Sequence, residues 1–195
     1  DEHLVPGRRG RVQRLDRWPD RLVAALGTAE PTLELVANLA VNGYTTDDLI
    51  RHELPALDEL EPGFVSVQIG VNDVVRGRSP GSSIANVGAI LDGLARRVGP
   101  GRVVTVAVPD YTVTPAGADY GDPRRQHDAI VAVNQAIARE AADRGIAFVD
   151  IFDVSRMAGE DRTLVANDGL HPSGQQYGLW VERIAPVVGR LIGRA

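Results

Sequence analysis

The chain has 195 residues, 44% hydrophobic and 24% charged, the size and balance of one compact domain with a sizeable core. A formal net charge of -5 neither releases phosphate counterions nor seeks acidic lipid, which excludes a general nucleic-acid or anionic-membrane binder and leaves small molecules as partners. The sequence has no Cys and no Lys, which excludes disulfides, thiolate nucleophiles, Schiff-base chemistry and a Walker-type phosphate lysine, and no apolar run reaches the roughly 18 to 20 residues of a membrane span.

Residues 1–17 are polar, rich in Arg and Gly and without a period, and read as a loop. In "WPDRLVAALG" the pattern changes: Pro19 suits a first helical turn, Leu22, Val23 and Leu26 share a face, and Gly27 marks the stop. The short apolar run 32–40, "TLELVANLA", ahead of the Asn42-Gly43 turn signal, predicts a buried strand. Thr45 with Asp48 three residues later predicts a capped helix carrying Leu49, Ile50 and Leu54, limited or kinked by Pro55.

A second strand is expected over 64–70, "FVSVQIG", and then Ile84, Val87, Leu91, Leu94 and Val98 recur at helical spacing until Gly99-Pro100-Gly101 breaks the pattern. "RVVTVAVP" at 102–109 reads as a third strand. Residues 110–122, with Pro, Gly, Thr and two Tyr, form a long loop of the kind that carries specificity. Asp122-Pro123 opens a helix to about Arg144, 146–151 is a fourth strand, and the last helix runs from Ser173 to about Leu191. Strands alternating with helices imply right-handed crossovers and a parallel sheet covered on both faces, in a single domain over 1–195.

In such sheets ligands sit beyond the carboxyl ends of the strands. The residues there are Asn42-Gly43-Tyr44, then Gly70-Val71-Asn72-Asp73, and finally Asp168 and His171 within "NDGLHP". Each alone has a plain structural explanation: a turn glycine, a helix cap, a surface histidine. Together they form a chemical set, with a carboxylate to orient an imidazole base and two N–H donors to stabilise an oxyanion. Pro172 disfavours helix at His171 and leaves its ring on a loop.

With Gly43 in "NLAVNGYTT", "GVND" containing Asn72, and the D-x-x-H-P run 168–172 in that order on an alternating layout, the chain resembles the SGNH (GDSL-type) hydrolases over essentially its whole length. The resemblance implies a three-layer α/β/α flavodoxin-like fold and hydrolysis of carboxylic esters through a serine acyl-enzyme, with a small-molecule ester as partner and no cofactor. It assigns His171 as general base, Asp168 as its orienting carboxylate, and Gly43 and Asn72 to the oxyanion hole.

The sequence departs from the family pattern in one respect. The G-D-S block that supplies the nucleophile is absent, and Ser66, Ser79, Ser82, Ser83, Ser155 and Ser173 all lie away from a strand-to-helix elbow. The resemblance therefore leads us to expect a strand and serine turn of about 10 to 20 residues ahead of Asp1, belonging inside the sheet. The alternative is a non-catalytic flavodoxin-like binding domain, or a pseudoenzyme without its nucleophile. His3, His52, His127 and His171 show no metal-ligand spacing.

Overall fold

The architecture is organised around β2, Val103–Val106, whose four side chains are all buried. It pairs in parallel with β1, Val65–Val67, and with β3, Ala147–Val149, in the order β1-β2-β3. This is a computed structural model that describes residues 17–27 and 33–193; the loop expected over 1–16 lies outside the described residues.

A strand covered on both faces sends alternate side chains to opposite layers, so β2 is built of uncharged residues throughout, three valines and Thr105. Val103 joins Leu91 of α5 (Pro80–Val98) and Ile130 and Ile137 of α6 (Pro123–Asp143) on one face. Val104 and Val106 join Leu22 of α1 (Trp18–Leu26) and Trp180, Ile184 and Val188 of α8 (Gly174–Ile192) on the other. Two helical layers and one parallel sheet result, as expected for a three-layer α/β/α fold.

The helices start where side chains satisfy their free N–H groups. Ser79, Asp122 and Ser173 cap α5, α6 and α8 by accepting from the N–H of Ser82, Arg125 and Gln176. Thr45 and Asp48 form a reciprocal capping box ahead of α2 (Thr46–Asp48), which widens into a π turn over Leu49–Glu53 and continues as α3 (Leu54–Leu60). Pro55 has no N–H to continue an α-helical ladder, and the change of winding falls just before it. Two short helices, α4 (Val71–Val75) and α7 (Phe152–Arg156), follow β1 and β3.

The strand expected over 32–40 is not formed. Residues 33–41 have no regular structure, and Val36 and Val41 are 61% and 51% exposed. A strand exists only in a ladder, and none of the described residues pairs with this segment. The segment and β1 instead form two walls of a cavity of about 690 Å³, closed by Trp18 and Leu22 of α1 and by Leu54 and Leu57 of α3. Along the side of the cavity, the edge of β1 away from β2 has no ladder partner among the described residues. The other three strands are present but shorter than expected, trimmed to the residues that face a partner.

Ile184 is fully buried between α8 and the sheet. Replacing it by Ala removes packed volume that the layers cannot refill, and should cost about 2 to 5 kcal/mol. Urea unfolding is expected to show a lower midpoint at an unchanged m-value.

Candidate active site

The turn at Asn42-Gly43 is closed by the Tyr44 N–H donating to Val41 O at 3.2 Å, and Gly43 takes φ +85°. A side chain there would be strained, so glycine is the residue this turn requires. After β1, Gly70 takes φ +121°, and an added Cβ would lie 3.3 Å from Val133 and 3.6 Å from Val108. That tight turn places Asn72 in the first turn of α4.

The two loops are joined by side chains. Asn72 Nδ2 donates to Tyr44 O at 2.9 Å, and Arg76 Nη2 donates to Gly43 O at 2.7 Å. Beneath them Asp73, 1% exposed, accepts from Thr46 N (2.9 Å), Thr46 Oγ1 (2.6 Å) and Ser83 Oγ (3.2 Å). A buried carboxylate with this many donors holds its surroundings firmly, because each donor would lose its partner if the loops separated. The Gly43 N–H has no acceptor among the described residues, and one hydrogen of the Asn72 amide remains after the bond to Tyr44. Both are donors available to an anionic oxygen.

"NDGLHP" folds as a tight hairpin. Val165 and Pro172 form an antiparallel bridge, Ala166 N donates to His171 O at 2.8 Å, and Gly169 takes φ +74°. Inside it Asp168 Oδ1 accepts from the N–H of Leu170 (2.9 Å) and of His171 (3.0 Å), while Oδ2 lies 2.6 Å from His171 Nδ1. The Leu170 backbone donor, the His171 ring and the His171 N–H together hold the Asp168 carboxyl at a pKa of about 2. An ionised Asp168 can only accept, so Nδ1 carries the proton and Nε2 presents its lone pair.

The structure thus brings Asp168 to His171, and the Gly43 turn to Asn72. No hydrogen bond links the two pairs among the described residues. Both belong to the carboxyl end of the sheet: Asn72 follows β1, and the 168–171 hairpin bonds through Gly169 O to Ala116 N at 3.0 Å, in the loop after β2. No serine hydroxyl among the described residues hydrogen-bonds the His171 ring; Ser155 Oγ donates to Phe152 O and Ser173 Oγ to Thr163 O. No group of three or more His, Asp or Glu among them is placed to hold a metal ion.

Sequence reasoning named Asn72 and Asp73 but not the bonds with Thr46, Ser83 and Arg76 that brace these loops. Thr46 and Asp73 are 27 positions apart, Gly43 and Arg76 are 33 apart, and neither pair has a local pattern.

The sequence profile of the GDSL-like lipase/acylhydrolase family matches residues 5–179. The chain belongs to that family. Its members include ester hydrolases, and solved esterases share this fold. The esterase EstA from Pseudoalteromonas sp., in a structure inhibited by monoethylphosphonate, is 18% identical with a TM-score of 0.66, covering 91% of this chain and 88% of its own. TesA is 21% identical with a TM-score of 0.68, over 90% of this chain and 88% of its own. The acetylxylan esterase Axe2 from Geobacillus stearothermophilus is 18% identical with a TM-score of 0.67, over 91% of this chain and 81% of its own. Two of its structures are of catalytic mutants, in which an aspartate and a histidine three positions apart are each replaced by alanine. A search of curated proteins finds no match.

The folded pKa of Asp168 lies below the unfolded value of about 3.9, so its ionised form favours the native hairpin at higher pH. That contribution is lost only as pH falls from about 4 through 2. Carbon-13 NMR of the Asp168 carboxyl should show a single titration near pH 2, and an acid limb of the rate profile above about pH 4 should be unchanged by shifts in that titration.

Proposed function

We propose that this hydrolase cleaves small carboxylic esters through a serine acyl-enzyme, with His171 as general base, Asp168 as its orienting carboxylate, and the Gly43 N–H and Asn72 amide as oxyanion donors. The observation that carries the reading is the Asp168–His171 hairpin, in which one carboxylate fixes the ring at Nδ1 and leaves Nε2 as the acceptor. Removal of a hydroxyl proton by Nε2 makes the oxygen nucleophilic; it attacks the ester carbonyl, and the anionic tetrahedral oxygen draws on the two N–H donors. The imidazolium then protonates the departing alcohol, and water activated by His171 releases the acid. The catalytic Asp and His of the acetylxylan esterase, at the same three-residue spacing, support this assignment.

The nucleophile in this reading is a serine from a segment ahead of Asp1, carried on a strand seated between 33–41 and β1. The segment 33–41 and the edge of β1, neither with a ladder partner there among the described residues, flank a cavity, and Asn42, next to Gly43, forms part of its wall. A parallel strand in that slot would end beside the oxyanion donors, where a base and its nucleophile have to meet. The six serines of the present sequence offer no such position.

Three experiments test the assignment on the full natural chain. A fluorophosphonate probe followed by peptide mass spectrometry should place the adduct on a serine ahead of Asp1. An adduct on any of the six serines here would overturn the nucleophile assignment, and absence of labelling would favour the non-catalytic binding domain. His171→Ala is expected to abolish both labelling and hydrolysis of a chromogenic acetate ester. Asn72→Ala should lower kcat by about 10² to 10³ with KM little changed, the signature of a lost oxyanion donor.

A further inference from the structure

Asp110 is buried at the carboxyl end of β2, 1% exposed, and its four acceptor positions are all filled. Oδ1 accepts from Thr112 N at 3.1 Å and Thr112 Oγ1 at 2.6 Å. Oδ2 lies 2.8 Å from His127 Nδ1 and accepts from Arg156 Nη1 at 2.5 Å. The Asp110 N–H donates to Ser155 Oγ at 2.9 Å. One carboxylate thereby ties together the loop after β2, the second turn of α6 and the end of α7. Burial alone would raise its pKa, but the donors from Thr112, His127 and Arg156 outweigh that and hold it low.

Two chains of contacts lead from this point to the catalytic hairpin. The first is the loop itself, where Thr114 N and Oγ1 both donate to Tyr111 O, and Ala116 N donates to Gly169 O at 3.0 Å. Pro115 and Ala116 stand within 3.6 and 3.8 Å of where a Gly169 side chain would be, so the loop presses against the hairpin's tip. The second runs through Ser155, whose carbonyl accepts from Gln176 Nε2 at 3.0 Å. Gln176 is 3% exposed and sits in the first turn of α8, five residues after His171. The hairpin itself is largely open to solvent, with the Asp168 and His171 side chains 50% and 55% exposed. Its orientation relative to the sheet comes from these two attachments and from Leu170, which packs into the core.

We propose that Asp110 is a positioning residue for the esterase reaction, aiming the Asp168–His171 pair at the nucleophile through the Ala116–Gly169 strap and the Ser155–Gln176 bond. This rests on the reading of His171 as the general base. Geometry is the quantity at stake, since a base displaced by about 1 Å costs on the order of 100-fold in rate.

The test is Asp110→Asn in the full natural chain, which keeps the shape but withdraws an acceptor from His127 or Arg156. A chromogenic acetate ester should show kcat lowered about 10- to 100-fold with KM within about twofold. In long-range proton–nitrogen spectra the His171 ring should move from the Nδ1-protonated tautomer toward an average of the two, while circular dichroism stays native. A folded Asp110→Asn protein with unchanged kcat and unchanged His171 tautomer would overturn the proposal and leave the cluster a structural one.

Should that variant fail to fold, Thr112→Val removes a single hydroxyl donor, and kcat should fall roughly two- to tenfold with the same tautomer shift. A folded Thr112→Val protein with lower stability but the parent's kcat and tautomer would equally overturn it. If the parent itself leaves the ester intact, the esterase reading fails, while the tautomer comparison still decides whether Asp110 orients the hairpin.

Discussion

A strand buried on both faces can carry no charge along its length, and the site depends on that constraint. Among the four residues of β2 only Thr105 is polar, and the three valines are committed to the two apolar layers. Polar chemistry is thereby pushed to the strand ends, and in a parallel sheet all carboxyl ends lie on one side. Asn72, Asp73 and Asp110 stand just past such ends: Asn72 donates to Tyr44 O, Asp73 accepts from Thr46, and Asp110 accepts from Arg156 at the end of α7. The core thereby decides where a ligand can be met.

The charges divide into two kinds by environment. Asp73 and Asp110 are buried with nearly complete sets of donors, where loss of any partner leaves a group unsatisfied in a dry surrounding. On the surface, Arg97 with Asp58, Arg144 with Asp92 and Arg183 with Asp153 form two-pronged pairs that suit the guanidinium fork. Pairs of that exposed kind contribute little to stability, because water screens them. An all-Arg surface brings geometric order to the outside of the helices, and the buried aspartates bring it to the loops.

Much of the architecture was legible in the sequence because its signals are local. The capping box at Thr45, the helix starts at Asp122 and Ser173, the stop at Gly99 and the apolar spacing of α5 are satisfied within a few residues of where they are written. The run at 32–40 carries an equally apolar pattern, yet a strand depends on a neighbour that its own residues do not specify, and there the reading failed. In the site, the Asp168–His171 contact follows from a three-residue spacing closed by a proline. The joining of Tyr44 to Asn72, and the meeting of Asp110 with His127, Ser155 and Arg156 across 17 to 46 positions, are products of folding that periodicity does not record.

Asp168 bears two duties on two oxygens: Oδ1 closes the hairpin through a pair of backbone donors, and Oδ2 holds the imidazole. The conformation of the turn and the state of the ring are consequently inherited together. Loss of the whole carboxyl group at this one position would free the ring and open the turn together, whereas an amide of the same shape, which keeps one acceptor oxygen, would separate the two duties.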